Sequence, residues 1–166
     1  MTTLRKILRR RLQFHFWLSE EAAVLTETII VVPFVTLFAA GILEFGNLFW
    51  ERMQIDAGLR DAGRYLARCR PESATFESKC NVATAKRIAF YGTQSSAATR
   101  LRVPGWGLNI GDITVPVDAE GNLTVDLDGT FTISTTHQYK SSPIFAWLGI
   151  GDITISAAHE QRYMGW

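Results

Sequence analysis

The chain is poor in the residue types that build metal and nucleotide sites. It has two cysteines and three histidines in 166 residues, and His15, His137 and His159 do not stand at zinc-ligand spacing from a cysteine. A glycine-rich phosphate loop and the paired-histidine helix motif of metalloproteases are also lacking. We therefore predict no metal ion, no cofactor, no small-molecule substrate and no enzymatic activity.

The chain also lacks an overall excess of one charge. Its 17 lysines and arginines and 16 aspartates and glutamates give a net charge of +1, which offers no basis for nucleic-acid binding. The basic residues before Glu20, however, have no acidic neighbour. The positive-inside rule therefore places the N-terminus in the cytoplasm and the long C-terminal part outside. This leader cluster consists of Arg5, Lys6, Arg9, Arg10 and Arg11.

One apolar run is long enough to cross a membrane. Residues 22–43 would form a helix about 33 Å long, which predicts a single membrane span. Glu27 lies inside this run, six residues before Pro33. Because an ionisable group in lipid costs several kcal/mol, Glu27 indicates a partner or a processing event in addition to anchoring.

The two cysteines lie in the part that is predicted to be exported. A pair of cysteines in an oxidising compartment favours a Cys69–Cys80 disulfide over two free, buried thiols. Closing a loop of about 12 residues would stabilise the fold by about 3 kcal/mol on the chain-entropy model.

Apolar periodicity predicts that the first helix continues beyond the membrane, over residues 44–69. Ile55, Leu59, Ala62 and Leu66 recur on one face, and we favour packing of this face on the chain's own domain over a contact between subunits. A second helix is predicted from about Asn81 to Tyr91, with Gly92 as its stop.

The composition then changes to alternating β-branched and polar residues, which is typical of half-buried strands. Four strands are predicted, at residues 112–117, 123–127, 130–135 and 152–156, with turns at residues 120–122 and 128–129. An antiparallel meander packed on the long helix would bury the apolar faces of both. The predicted fold class is therefore α+β, with a long N-terminal membrane helix that continues into an exported, pilin-like domain.

A fixed order of residues marks the apolar segment: Ala22, Glu27, Pro33 and the exit Gly41-x-x-Glu44-Phe45-Gly46. This order resembles the N-terminus of TadE-like pseudopilins, which are minor pilins of the tight-adherence (Tad or Flp) type IV pilus system. The downstream DAGRYLA stretch, residues 61–67, is similar to the family's alanine- and arginine-rich helix. The resemblance covers about residues 22–68.

The resemblance implies that a prepilin peptidase cuts between Ala22 and Ala23. Glu27 would then be the fifth residue of the mature chain, where it can neutralise the new α-ammonium of a neighbouring subunit, an attraction that low dielectric strengthens. The alternative role is a neutral Glu27 that hydrogen-bonds to a threonine of another helix. Pro33 removes the hydrogen bond to the carbonyl of Ile29 and can loosen the span.

The resemblance also implies a function in assembly of a Tad pilus and in surface adhesion. Its partners would be other pilins and pseudopilins, the Tad assembly machinery and the peptidase. The expected segments are a basic cytoplasmic leader (1–22), an inner-membrane helix (23–43), its exported continuation (44–69) and a periplasmic α+β domain (70–166) that could also enter the extracellular pilus. The alternative is an uncleaved, single-pass, membrane-anchored periplasmic scaffold or binding protein.

Overall fold

A computed structural model of the protein describes residues 20–70, 75–76 and 80–165. The leader cluster and His15 lie outside these described residues. The chain divides into two compact units, and the boundary lies between Phe45 and Gly46. The elements in chain order are helix α1 (Glu20–Ala67), helix α2 (Val82–Tyr91), a 3-10 turn (Ile110–Asp112), strand β1 (Ile113–Thr114), strand β2 (Thr130–Tyr139), helix α3 (Pro143–Trp147) and strand β3 (Ile153–Arg162).

Helix α1 runs for 48 residues and passes through Pro33 without ending. The predicted continuation beyond the apolar run is confirmed, although the helix ends two residues before Cys69. The stripe of Ile55, Leu59, Ala62 and Leu66 is at most 2 % exposed and belongs to the core of the second unit. The preference for packing on the chain's own domain is therefore also confirmed.

Helix α2 has a capping residue at each end. The Asn81 side chain accepts a hydrogen bond of 2.6 Å from the backbone N–H of Thr84, which satisfies one of the free donors of the first turn. Gly92 ends the helix in the left-handed region, at φ 72°, and its N–H bonds to the carbonyl of Ile88. The helix is confirmed within one residue of its predicted start.

The sheet has three antiparallel strands in the order β1-β2-β3. Strands β2 and β3 pair along their full length, from Thr130 opposite Arg162 to Tyr139 opposite Ile153. Side chains alternate between buried and exposed along β2, so one face of the sheet lies on the core and the other faces out. The predicted α+β class and the antiparallel meander are thereby confirmed.

The prediction of a strand at residues 123–127 is wrong. Only an isolated bridge joins Val117 to Leu123, because the Asp118 side chain accepts hydrogen bonds from the backbone N–H groups of Glu120 and Asn122 and closes a tight turn. The backbone hydrogen bonds that hold the turn also lower the pKa of Asp118. The Leu127 side chain is fully exposed, so this apolar residue of the predicted strand does not face the core.

Three other strand boundaries also differ from the prediction. Strand β1 is limited to Ile113–Thr114, and Pro116 lacks the N–H that a longer ladder would need. Strands β2 and β3 each extend to ten residues, since their alternation continues through His137 and His159. The predicted strands end too early because polar residues occupy inward positions further along them.

Among the described residues, Trp106 is the largest side chain that the core buries completely. It is fully buried, its ring meets Phe90 edge-on at 5.0 Å, and its Nε1 donates a hydrogen bond of 3.0 Å to Thr135 Oγ1. The Thr135 hydroxyl in turn donates to the carbonyl of Asp112. These two linked hydrogen bonds satisfy the buried polar groups of Trp106 and Thr135.

Candidate functional site

The described residues of the first unit, 20–45, form a helical segment with apolar side chains that the described part of the chain leaves uncovered. Ile29, Phe38 and Leu43 are 67, 73 and 75 % exposed, although such residues normally lie inside a protein. Among the described residues, α1 is the one helix that is long and apolar enough to cross a membrane. The segment is therefore a candidate membrane span.

Glu27 lies in this apolar segment with its side chain exposed. Within the described part of the chain it has no hydrogen-bond or ion-pair partner. The hydroxyl of the adjacent Thr28 bonds to the helix itself, since it donates to the carbonyl of Val24 at 2.8 Å.

The residues of the predicted cleavage point belong to the first turns of α1. The backbone is helical from Glu20, so both Ala22 and Ala23 lie in the helix. Ala23 and Glu27 are four residues apart, which puts them on the same helix face, about 6 Å apart along the axis. A charge created at Ala23 would therefore lie one turn from the carboxylate.

The exit motif ends the apolar segment. Gly41 and Gly46 are two glycines of α1 at which an added Cβ would meet no atom within 4 Å, so packing of the described chain does not require glycine there. Glu44 and Phe45 lie between them in the same helix. By contrast, an added Cβ at Gly58 would lie 2.6 Å from the carbonyl oxygen of Ala89.

The structure also brings together residues that the sequence did not associate. Asn47 Nδ2 donates to the Tyr139 hydroxyl at 3.1 Å, and His137 Nε2 lies 3.7 Å from Glu51 Oε2. Both contacts attach β2 to α1. Burial lowers the pKa of His137, while the charge of Asp112 opposes that effect. The sequence signal was the alternation that places His137 on the inward face of β2.

The predicted disulfide is present. Cys69 and Cys80 are bonded, with Cα atoms 5.6 Å apart, and they join the end of α1 to the residue before the Asn81 cap. The Tyr163 hydroxyl donates to the carbonyl of Cys69 at 2.6 Å, and burial raises the pKa of Tyr163. An open cleft of about 420 Å³ lies beside the bond. These contacts anchor the C-terminal segment to the end of α1.

The remaining polar clusters carry no metal-ligand arrangement. Among the described residues, no three His, Cys, Asp or Glu side chains are placed to hold one ion. A second shallow cleft, on the outer face of the sheet, is lined in part by the hydroxyls of Thr114, Ser134, Thr136 and Ser156. Small hydroxyls on an open sheet face are typical of a solvated surface.

Comparison with known proteins relates part of the chain to a family. Residues 22–64 match the family model described as TadE-like protein. The matched segment includes Glu27, Pro33 and the exit motif, and it ends within α1. No curated protein and no solved structure matches the chain. Over residues 22–64 the chain is therefore similar to TadE-like proteins.

Proposed function

We propose that this protein is a minor pseudopilin that takes part in assembly of a Tad type IV pilus after processing by a prepilin peptidase. The observation that carries the proposal is a carboxylate without a partner in the described chain, on an exposed apolar helix segment of TadE-like sequence. A bilayer can cover the apolar side chains before assembly. Helices of neighbouring pilins can cover them afterwards.

Processing would occur between Ala22 and Ala23, at the cytoplasmic end of the span. A small residue before the cut suits a peptidase with a narrow pocket. Removal of residues 1–22 would delete the basic leader, which otherwise holds the N-terminus in the cytoplasm. It would also create an α-ammonium at Ala23, at the edge of the hydrocarbon.

Glu27 would neutralise that ammonium on a neighbouring subunit. A neighbour displaced by about 6 Å along the helix axis, or four residues of helix, brings its Ala23 level with Glu27. In a water-poor environment the attraction between the two charges is several times stronger than in water. The pairing would therefore set the axial register between subunits.

The proposed topology has a cytoplasmic N-terminus and a periplasmic second unit. It is supported by the basic leader and by the absence of an equivalent basic cluster after the span. Reporter fusions after Gly92 test it. A reporter that works only outside the cytoplasm should be active there, and activity of a cytoplasm-only reporter would reverse the orientation.

The assembly role is tested by Glu27→Gln at normal protein level. The amide keeps the size of the side chain and lowers its cost in lipid, so membrane insertion should be retained. It cannot neutralise an ammonium, and a loss of pairing worth about 1.4 kcal/mol would weaken subunit association about tenfold, so pilus number should fall. Glu120→Gln, the same change at an exposed residue of the second unit, is the matched control and should leave pilus number unchanged.

A second variant separates processing from pairing. Ala22→Leu should block removal of residues 1–22 by bulk, which the mass of the purified protein would show, whereas Glu27→Gln should be processed. Wild-type pilus numbers with Glu27→Gln would reject the pairing role. If the mass of the wild type showed that residues 1–22 are retained, and both variants left pilus number unchanged, the protein would instead be an uncleaved membrane-anchored scaffold.

A further inference from the structure

The connection between β2 and β3 exposes large apolar side chains. Trp147 is 77 % exposed, Leu148 49 % and Ile150 39 %, whereas Phe145 in the same loop is buried. We call the segment of residues 141–151, which contains α3, the Trp147 loop. Among the residues whose exposure is described, the other exposed large apolar residues of the second unit outside α1, such as Leu127, occur singly in the sequence. The Trp147 loop is thus a concentrated apolar surface.

Backbone hydrogen bonds hold the Trp147 loop in a defined conformation. The N–H of Ala146 donates to the carbonyl of Ser142 at 3.0 Å, and the N–H of Ile150 donates to the carbonyl of Phe145 at 2.9 Å. A third bond, of 3.1 Å, joins the N–H of Gly149 to the carbonyl of Ala146. The exposed side chains are therefore presented by an ordered turn.

The loop lies at the end of the sheet where the second unit begins. Tyr139, the last residue of β2, accepts a hydrogen bond from Asn47, near the start of the unit. At the opposite end of the sheet, the N–H of Met164 donates to the carbonyl of Ala67 at 2.9 Å. The strands thus run alongside α1, and the Trp147 loop extends from the Asn47 end.

Asn47 is also close in sequence to the apolar run. It follows Leu43, the last residue of the run, by four residues, or about 6 Å of helix. The headgroup layer on each side of a bilayer core is about 5–8 Å thick, so a run that fills the core would place Asn47 in that layer. Phe49 and Trp50, two and three residues after Asn47, are 60 and 59 % exposed.

We propose that the Trp147 loop is a second membrane contact, which lies in the headgroup layer of the bilayer that α1 crosses. Tryptophan favours this layer, because its ring is apolar while its N–H can bond to headgroups. Leu148 and Ile150 would bury apolar surface at the boundary with the acyl chains. Lys140 and Asp152 flank the loop with opposite charges, so no net charge opposes its approach to lipid.

Two contacts would restrict how the second unit tilts over the membrane, which a single helix does not do. The partner is a lipid surface, and a second protein copy is the competing occupant. The proposal rests on insertion of the apolar run, which is part of the proposed function, and is independent of processing and of the role of Glu27.

Quenching of tryptophan fluorescence by lipid tests the proposal. The full chain is reconstituted in phosphatidylcholine–phosphatidylglycerol vesicles whose acyl chains are brominated near the headgroup, with lipid in such excess that most vesicles hold one copy. The signal of Trp147 is the difference between the wild type and Trp147→Phe. The matched control, Trp147→Phe combined with Leu127→Trp, moves the exposed tryptophan to the turn before β2, at the Ala67 end of the sheet.

We expect the brominated lipid to remove about half of the Trp147 emission, as for an interfacial tryptophan, and to leave the Leu127→Trp emission nearly unchanged. Equal quenching at the two positions, or none at Trp147, would overturn the proposal. If Trp147 were protected only at high protein density, the loop would be a contact between copies. Flotation of the protein with the vesicles is measured in parallel, so that failure of insertion is distinguished from failure of the loop contact.

Discussion

Replacement of Gly58 by alanine tests how closely α1 packs on α2 and Trp106. An added Cβ would lie 2.6 Å from the carbonyl oxygen of Ala89 and 2.8 Å from Cη2 of Trp106. Neither neighbour can move aside easily. The oxygen belongs to the backbone of α2, and the indole is fully buried and hydrogen-bonded to Thr135.

Two opposing effects set the magnitude of the change. Alanine in a helix is favoured over glycine by up to about 1 kcal/mol, whereas overpacking a core typically costs about 1–3 kcal/mol. At Gly58 the overpacking cost should be at or above the upper end of this range, because the added Cβ would clash with a backbone oxygen. Only a shift of the whole of α2 would remove that clash. We therefore expect Gly58→Ala to lower the free energy of unfolding by about 2 kcal/mol.

The measurement is urea unfolding of the full chain in detergent micelles, followed by near-ultraviolet circular dichroism. Gly46→Ala is the matched control in the same helix, since its Cβ would meet nothing within 4 Å, and it should cause no loss. Gly63→Ala should fall between the two, because its Cβ would lie 3.1 Å from the His159 ring. A Gly58→Ala protein as stable as Gly46→Ala would refute the described packing.

Two further predictions concern the same unit. Cys69→Ser with Cys80→Ser should lower the free energy of unfolding by about 3 kcal/mol in the same urea assay, since it frees a loop of about 12 residues; an unchanged midpoint would contradict this. Burial lowers the pKa of His137 in the folded state, so the contribution of its neutral form to stability is complete above pH about 6.5. As the pH drops from there toward the folded-state pKa, the free energy of unfolding should fall by up to about 1.4 kcal/mol per pH unit. His137→Gln should flatten this dependence while His159→Gln retains it, and equal profiles for the two variants would reject the assignment.

The helices could be predicted because their signals are local. The apolar run, the buried stripe on α1, the Asn81 cap and the Gly92 stop all lie within a few residues of the structure they specify. The TadE-like segment is local in the same sense, since it occupies one continuous helix. The disulfide followed from the small number of cysteines and the predicted compartment.

The strands were predicted less well because their partners are distant in the chain. Residues 123–127 alternate as a strand should, yet the turn at Asp118 leaves them only an isolated bridge. Strand β2 continues through His137 because β3, a later segment of the chain, pairs with it there, with His137 opposite Ile155. Alternation reports which residues could face a core, and not which strand is present to pair with them.

The sequence by itself determined the candidate membrane span, the position of Glu27 within it, the two long helical segments and the α+β class. Each depends on spacing along a single element, where 3.6 or two residues per repeat puts side chains on one face. Only the tertiary structure decided that Trp106 fills the space Gly58 leaves open, that Asn47 meets Tyr139, and that the Trp147 loop lies at that end of the sheet. Such contacts join residues that local spacing does not relate, because they depend on how the elements pack.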